Sequence, residues 1–197
     1  MPGTGTRVRV VGTGSFATTV RSSAVDAGMV VIDGADEPVD AVVFAPWDRD
    51  AMVAVPLAEL TDEQFGTAWQ TTMDDAVAAC IGARDSFGTA GGSIVLTTPT
   101  TGMAGGARFA HWAAAAEGVH VLARSVARQW GPEGIAVNVL AFSPEEVGID
   151  PAVAGPVSIA TPARPGASIT GAMAFLCSPG ARDVAGQTIT VDGGLWM

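Results

Sequence analysis

The 197-residue sequence contains no tyrosine and no lysine. Its ten basic residues are all arginines, and 20 acidic residues bring the net charge to −10 and the sequence pI to about 4.4. Such a chain repels a phosphate backbone, so nucleic acid is not an expected partner. No run of residues approaches the roughly 20 apolar residues that cross a bilayer, and the N-terminus lacks an apolar segment behind a charged start. We therefore expect no membrane association and no export.

Cysteine and histidine are also scarce, with two of each. Cys80 and Cys177 each lie in an apolar helical stretch, which favours buried free thiols over a disulfide and fits a reducing cytoplasm. His111 and His120 have no second ligand and no orienting carboxylate at a useful spacing. The sequence therefore predicts no metal site and no histidine catalysis.

The residues that are abundant indicate a layered fold. Hydrophobic residues make up 48% of the chain, and strand-like runs alternate with helical ones. We predict one domain over residues 1–197, an α/β fold with a Rossmann-like, doubly wound, mostly parallel sheet. The predicted strands are 8–11, 29–33, 39–46, 91–99, 134–142 and 186–194, and the predicted helices are 15–28, 62–83, 109–130 and 168–177.

One predicted connection is too short for this fold. Only "GADEP" separates the strand that ends at Asp33 from the one that begins at Val39. Successive parallel strands in one sheet need a crossover of about a dozen residues, and five residues span at most about 18 Å. We predict that one β-α unit is missing from the N-terminal half.

Three stretches resemble one enzyme family. They are "GGSIVLTTPTTG", "AEGVHVLARSVARQWGPEGIAVNVL" and "RPGASITGAMAFLCSPGARDVAGQTITVDGGLWM". From Asp40 to the C-terminus the chain resembles the short-chain dehydrogenase/reductase family, and most closely its 3-oxoacyl-thioester reductase branch. The resemblance implies an NAD(P)-dependent oxidoreductase fold, here in a truncated form.

The four residues that the family uses for chemistry are all replaced. The family's proton-transferring tyrosine falls on Trp112, its lysine on Ala116, its serine on Pro99, and its asparagine near Thr72. No other alignment restores the pair, because the chain has neither tyrosine nor lysine to offer. We therefore expect no catalytic residues of the family type in this chain.

The cofactor loop can be interpreted in two ways. Gly12-x-Gly14-x-x-Ala17 follows a strand, and Asp33 comes about twenty residues later, as in the general dinucleotide fingerprint. In one interpretation a pyrophosphate lies on the helix N-terminus and Asp33 binds the ribose. In the other, which we favour, the loop is a tight turn and Asp33 a surface residue. The family's "NNAG" is replaced by "FAPW" (44–47), so Phe44 and Trp47 are expected to fill cofactor space.

The parts most similar to the family are those that pair its subunits. The resemblance places a helical interface at 62–83 and 109–130 and a second one at the C-terminus. We predict a non-catalytic subunit that binds no cofactor itself and joins a catalytically intact relative, which holds NAD(P), in a hydroxyacyl or ketoacyl oxidoreductase. A dinucleotide-sensing protein without turnover and a divergent oxidoreductase are the alternatives. The predicted interface residues are Trp69, Met73, Ala113, Gly118, Leu122, Val126, Trp130 and Trp196.

Overall fold

The computed structural model describes residues 5–35, 37–154 and 168–195. Its strands are β1 (Arg7–Val11), β2 (Val30–Val31), β3 (Ala41–Phe44), β4 (Gly92–Pro99), β5 (Ile135–Phe142) and β6 (Thr188–Val191). They form one parallel sheet in the order β2-β1-β3-β4-β5-β6. All eight residues of both β4 and β5 are buried, as expected for parallel strands that are covered on both faces.

Helices cover both faces of the sheet and build two hydrophobic cores. They are α1 (Ser15–Asp26), α2 (Asp62–Trp69), α3 (Asp75–Phe87), α4 (Thr101–Ala104), α5 (Ala110–Trp130) and α6 (Thr170–Leu176). Successive β3 residues alternate between the cores: Val43 packs on the side of α1 and α6, and Val42 and Phe44 pack on the side of α3 and α5. This arrangement confirms the predicted Rossmann-like α/β class.

The link from β2 to β3 crosses β1 without a helix or strand in its described residues, 32–35 and 37–40. The Arg9 guanidinium holds this link to the sheet, because it donates to the carbonyl oxygens of Gly34 (2.7 Å) and Glu37 (2.6 Å). It also donates to the Ser86 hydroxyl on α3 at 2.7 Å. The connection from β2 to β3 is short, as the sequence predicted, and one arginine side chain supports it.

β2 is shorter than predicted, because only Val30 and Val31 pair with β1 whereas the apolar run suggested residues 29–33. The strand lies at the sheet edge, and the link leaves it directly after Val31 in order to turn back over β1. Asp33 therefore lies in the link and is exposed.

The segment from α2 to α3 is one continuous helical rod with a π-helical turn at Gln70–Asp74. A capping box begins it: the Gln64 N–H donates to the Thr61 hydroxyl (3.2 Å) and the Thr61 N–H donates to the Gln64 side chain (3.0 Å). α5 packs against this rod so closely that a Cβ at Gly118 would lie 2.7 Å from the Met73 sulfur.

Candidate functional site

The strand order reverses between β1 and β3, and in open α/β sheets ligands bind outside the strand ends at this point. Gly12, Gly14 and Ala17 meet here in the turn that leads into α1, where the Ala17 N–H donates to the Gly14 carbonyl at 3.1 Å. Gly12 has a φ of +143°, and a Cβ on it would overlap the carbonyl oxygen of Ala45. A Cβ on Gly14 would lie 2.5 Å from the carbonyl oxygen of Trp47. Both glycines are thus needed because the segment after β3 packs directly onto this turn.

That same segment caps the N-terminus of α1. The Phe16 N–H donates to the Trp47 carbonyl at 3.2 Å, and the Ser15 N–H points to the Asp48 carboxylate at 3.5 Å. In return, the Arg49 N–H donates to the Ser15 hydroxyl at 3.0 Å. The first amides of an α-helix have no acceptor within the helix and lie at the positive end of its dipole. In this chain, the Trp47 carbonyl and the Asp48 carboxylate accept from two of them.

Four aromatic side chains fill the space beside this cap. Phe16 stacks on Phe142 with ring centroids 3.8 Å apart, and Trp47 contacts Trp112 and Phe142 edge-on at 6.3 and 6.4 Å. The Trp47 indole N–H donates to the Thr97 carbonyl at 2.7 Å. None of the four is more than 7% exposed. We call Phe16, Trp47, Trp112 and Phe142 the aromatic cluster.

A pyrophosphate on this turn would compete for the α1 amides that already bond Trp47 and Asp48. Beside the same turn, the structure has a pocket of about 530 Å³ whose lining includes Gly12, Thr13 and Pro46. Trp47 lies in the aromatic cluster on one side of the turn. Phe44 packs on the other face of the sheet with α3 and α5, and it lines the pocket beside Gly12.

The four positions at which the family carries its catalytic groups are buried. Pro99 ends β4 beside Phe142, and Ala116 is fully buried against Gly102, where an added Cβ would lie 2.8 Å from the alanine methyl. The Thr72 hydroxyl and the Trp112 indole N–H are buried and have no hydrogen-bond partner. A threonine hydroxyl and an indole can bind water, but neither transfers a proton readily near neutral pH.

The two histidines occupy different surroundings. Burial lowers the pKa of His111, whose Nδ1 has no partner. His120 lies between the hydroxyls of Thr98 and Thr188, each 2.9 Å from a ring nitrogen. Burial also lowers the pKa of His120, while Glu117 acts against that shift. The bridge joins α5 to β4 and β6, a role that sequence spacing did not reveal.

The two thiols are buried and free, as the sequence indicated, and burial raises the pKa of each to about 12. Within residues 5–35, 37–154 and 168–195, no group of three or more His, Cys, Asp or Glu could hold a metal ion. Over the same part of the chain, no helix combines the length and the apolar character that crossing a bilayer requires.

The predicted interface residues differ in exposure. Trp69 is 41% exposed, whereas Val126 and Trp130 are each 8% exposed and belong to the core beneath α5. Trp196 lies outside the described residues. The half-buried members of the set are Met73, Ala113, Gly118 and Leu122.

Residues 22–196 match the family described as Enoyl-(Acyl carrier protein) reductase. The chain is 29% identical over 185 residues to the 3-oxoacyl-[acyl-carrier-protein] reductase MabA of Mycobacterium avium, a match that covers 89% of this chain and 71% of that protein. It is 34% identical over 113 residues to the reductase FabG of Vibrio cholerae, covering 54% of this chain and 46% of that protein.

Solved structures with the same fold cover nearly the whole chain. The TT0495 protein from Thermus thermophilus aligns with a TM-score of 0.76 and 20% identity, over 96% of this chain and 98% of that one. A short chain oxidoreductase from Pseudomonas aeruginosa PAO1, described as containing an atypical catalytic center, aligns with a TM-score of 0.71 and 18% identity, over 96% and 97%. The six-stranded parallel sheet and the family match over residues 22–196 lead to one conclusion: the chain belongs to the short-chain dehydrogenase/reductase family of oxidoreductases.

Proposed function

We propose that this chain is a non-catalytic subunit of an NAD(P)-dependent hydroxyacyl or ketoacyl oxidoreductase. It associates with a catalytically intact member of the same family, and that relative holds the cofactor and performs the hydride transfer. The complex works in the cytoplasm, where the buried thiols stay reduced.

The observation that carries the proposal is the aromatic cluster together with the Trp47–Asp48 cap. These residues engage the first α1 amides, which a pyrophosphate would need, and fill the space on one side of the turn. Trp112 and Ala116 also leave the chain without a proton donor and without a cation to hold a ribose. Hydride transfer by this chain alone would lack both its cofactor and its proton path.

The names of two relatives support the proposed substrate class. Two matched proteins are named 3-oxoacyl-[acyl-carrier-protein] reductases, so a 3-oxoacyl thioester is the first substrate to supply to the complex.

The test is purification of the tagged chain from the cells that make it, followed by an assay with a 3-oxoacyl thioester and NAD(P)H. We expect a short-chain dehydrogenase with an intact Tyr-x-x-x-Lys to copurify in a fixed ratio, and we expect activity in the complex. The chain alone should show neither turnover nor dinucleotide binding, and turnover by the isolated chain would refute the proposal.

A pair of matched variants shows whether the helical face mediates the association. Trp69→Glu places a charge on the exposed part of α2, and Val25→Glu places the same charge at a 62% exposed position on α1. We expect the relative to be lost from the first variant and kept in the second.

A further inference from the structure

The pocket beside Gly12 continues along the face of the sheet that α3 covers, and its volume is about 530 Å³. On α3, the lining residues include Asp75, Ala79, Gly82 and Ser86, which recur at helical spacing and therefore share one face of the helix. The facing wall is formed by residues of β1 and β3. We call this pocket the α3 slot.

The α3 slot is elongated. Asp75 begins α3 and Ser86 lies near its end, and a rise of about 1.5 Å per residue places them roughly 16 Å apart along the helix axis. On the sheet, the lining begins at Arg9, whose guanidinium bonds the Ser86 hydroxyl, and it ends at Thr13 beyond β1. The slot therefore suits an extended molecule better than a compact one.

The middle of the slot is apolar. Val11, Val42 and Phe44 line it from the strands, and Ala79 and Ala83 line it from α3. All five belong to the hydrophobic core on this face of the sheet or pack against it. A hydrocarbon gains free energy by leaving water for such walls, whereas a polar group would lose its hydrogen bonds. The middle of the slot therefore favours a hydrocarbon chain.

The end of the slot at Ser86 carries a positive charge without a counter-ion. The Arg9 guanidinium donates to the Ser86 hydroxyl and to the carbonyl oxygens of Gly34 and Glu37, which are all neutral acceptors. Its Nε is buried without a partner, and the Glu37 carboxylate pairs with Arg7 instead, at 3.3 Å. In the part of the chain that the structure describes, no carboxylate forms an ion pair with Arg9. Since a charge that is partly withdrawn from water is normally paired, this end favours a carboxylate.

Asp75 is the charged group at the other end of the slot, and it is exposed. It lies roughly 16 Å from the Ser86 end along α3. Exposed charges that are more than about 8 Å apart are largely screened at physiological ionic strength. Asp75 therefore does not repel a carboxylate bound at Arg9, but it disfavours a ligand bound in the reverse orientation.

We propose that the α3 slot binds a monocarboxylate with an unbranched hydrocarbon chain, its carboxylate at Arg9 and its chain between Val42 and Ala79. A chain of about ten carbons, with C–C bonds of about 1.5 Å, extends to about 12 Å and fits within the slot. The site lies on the other face of the sheet from the aromatic cluster. The inference goes beyond the proposed subunit function and does not depend on it.

The first test separates the contributions of charge and chain from the side of the ligand, because Arg9 also holds the β2–β3 link. Titration calorimetry of the full chain should show one decanoate bound per chain. Decanol, which has the chain without the charge, should bind about tenfold more weakly, and acetate, which has the charge without the chain, should not bind. Absence of decanoate binding, or equal affinity for decanol, would overturn the inference.

The second test locates the binding with two matched glycine variants. Gly82 lines the slot, whereas Gly171 lies in α6 on the other face of the sheet. A Cβ at either position would meet no atom within 4 Å, so both leucine variants should fold, as circular dichroism can confirm. We expect Gly82→Leu to weaken decanoate binding at least tenfold and Gly171→Leu to change it less than twofold. Equal affinities of the two variants would place the binding elsewhere and refute the assignment.

NADH is the final control ligand, and we expect it not to bind. Binding of NADH that Gly82→Leu removes would identify the slot as a dinucleotide site, and both this inference and the cofactor-free account of the chain would fail. Loss of the decanoate result alone would refute only the inference, because copurification of an intact relative tests the subunit function separately.

Discussion

At the residue scale, Trp47 connects several elements of the fold. Its carbonyl accepts from the first turn of α1, its indole donates to β4, and its ring contacts Trp112 and Phe142. One residue thus joins α1, α5 and two strand ends within the hydrophobic core.

Truncation of Trp47 should be costly. We expect Trp47→Ala to lower the free energy of unfolding by about 3–5 kcal/mol, because it opens a cavity and leaves the Thr97 carbonyl without its donor. Trp69→Ala is the matched control, because that indole is 41% exposed and its loss should cost less than about 1 kcal/mol. Urea unfolding measures the free energy of unfolding of both variants. Equal losses would mean that Trp47 is not part of a packed core.

The turn before α1 makes a second residue-scale prediction. Gly14→Ala should destabilise the fold by about 2 kcal/mol or more, because its methyl would meet the Trp47 carbonyl at 2.5 Å. Gly82→Ala in α3 has open space around it and should stabilise by up to about 1 kcal/mol. Thermal unfolding should therefore shift in opposite directions. A harmless Gly14→Ala would show that the segment after β3 does not rest on this turn.

His120 should make stability depend on pH. Because burial lowers its pKa below the ordinary value of about 6.5, the unfolded chain binds a proton that the folded chain does not. The contribution of His120 to the free energy of unfolding should therefore be complete above about pH 6.5 and should decline as the pH falls below that value. In urea titrations at fixed ionic strength, His120→Gln should make this decline less steep and leave the contribution of His111. An unchanged slope would contradict the assignment.

At the element scale, packing closes the part of α5 on which the family carries its tyrosine and lysine. Ala116 is fully buried against Gly102 of α4, and Trp112 belongs to the aromatic cluster. The helix is 21 residues long and packs against β4 and β5.

Restoring the family residues should therefore fail. We expect Trp112→Tyr with Ala116→Lys to yield no turnover and to destabilise the chain by several kcal/mol, because the lysine would be buried without a carboxylate. Ala114→Lys, on the exposed side of α5, should be tolerated. NAD(P)H oxidation by the double variant would contradict this expectation, because it would mean that the residues at positions 112 and 116 alone prevent turnover.

Periodicity and turn residues were enough to predict all six strands and the long helices, but not the short α4, the π-turn or the end of β2. The capping box at Thr61 and the buried runs of β4 and β5 follow from local pattern. Only one residue of the Trp47–Asp48 cap was named from the sequence. Trp47 was expected to lie in cofactor space, whereas Asp48 was not identified because a carboxylate in a loop follows no periodic pattern. The role of Arg9 was missed for the same reason. In the sequence, an arginine on β1 that binds the carbonyl oxygens of the β2–β3 link cannot be distinguished from an ordinary surface arginine.

At the scale of the whole molecule, the chain combines a packed core with exposed apolar side chains on one helical surface. Both faces of the sheet are packed, and four aromatic side chains fill the space on one side of the turn that leads into α1. Phe65, Trp69, Val77 and Ile81 nevertheless remain exposed. This combination suits a subunit whose stability is its own and whose function depends on a partner.

Native mass spectrometry of the complex, isolated through a tag on this chain and supplied with saturating NAD(P), tests this account most directly. It reports both subunit stoichiometry and the number of bound dinucleotides. We predict a hetero-oligomer that holds one dinucleotide for each intact relative and none for this chain. A homo-oligomer, or a complex with one dinucleotide for every chain, would contradict the account.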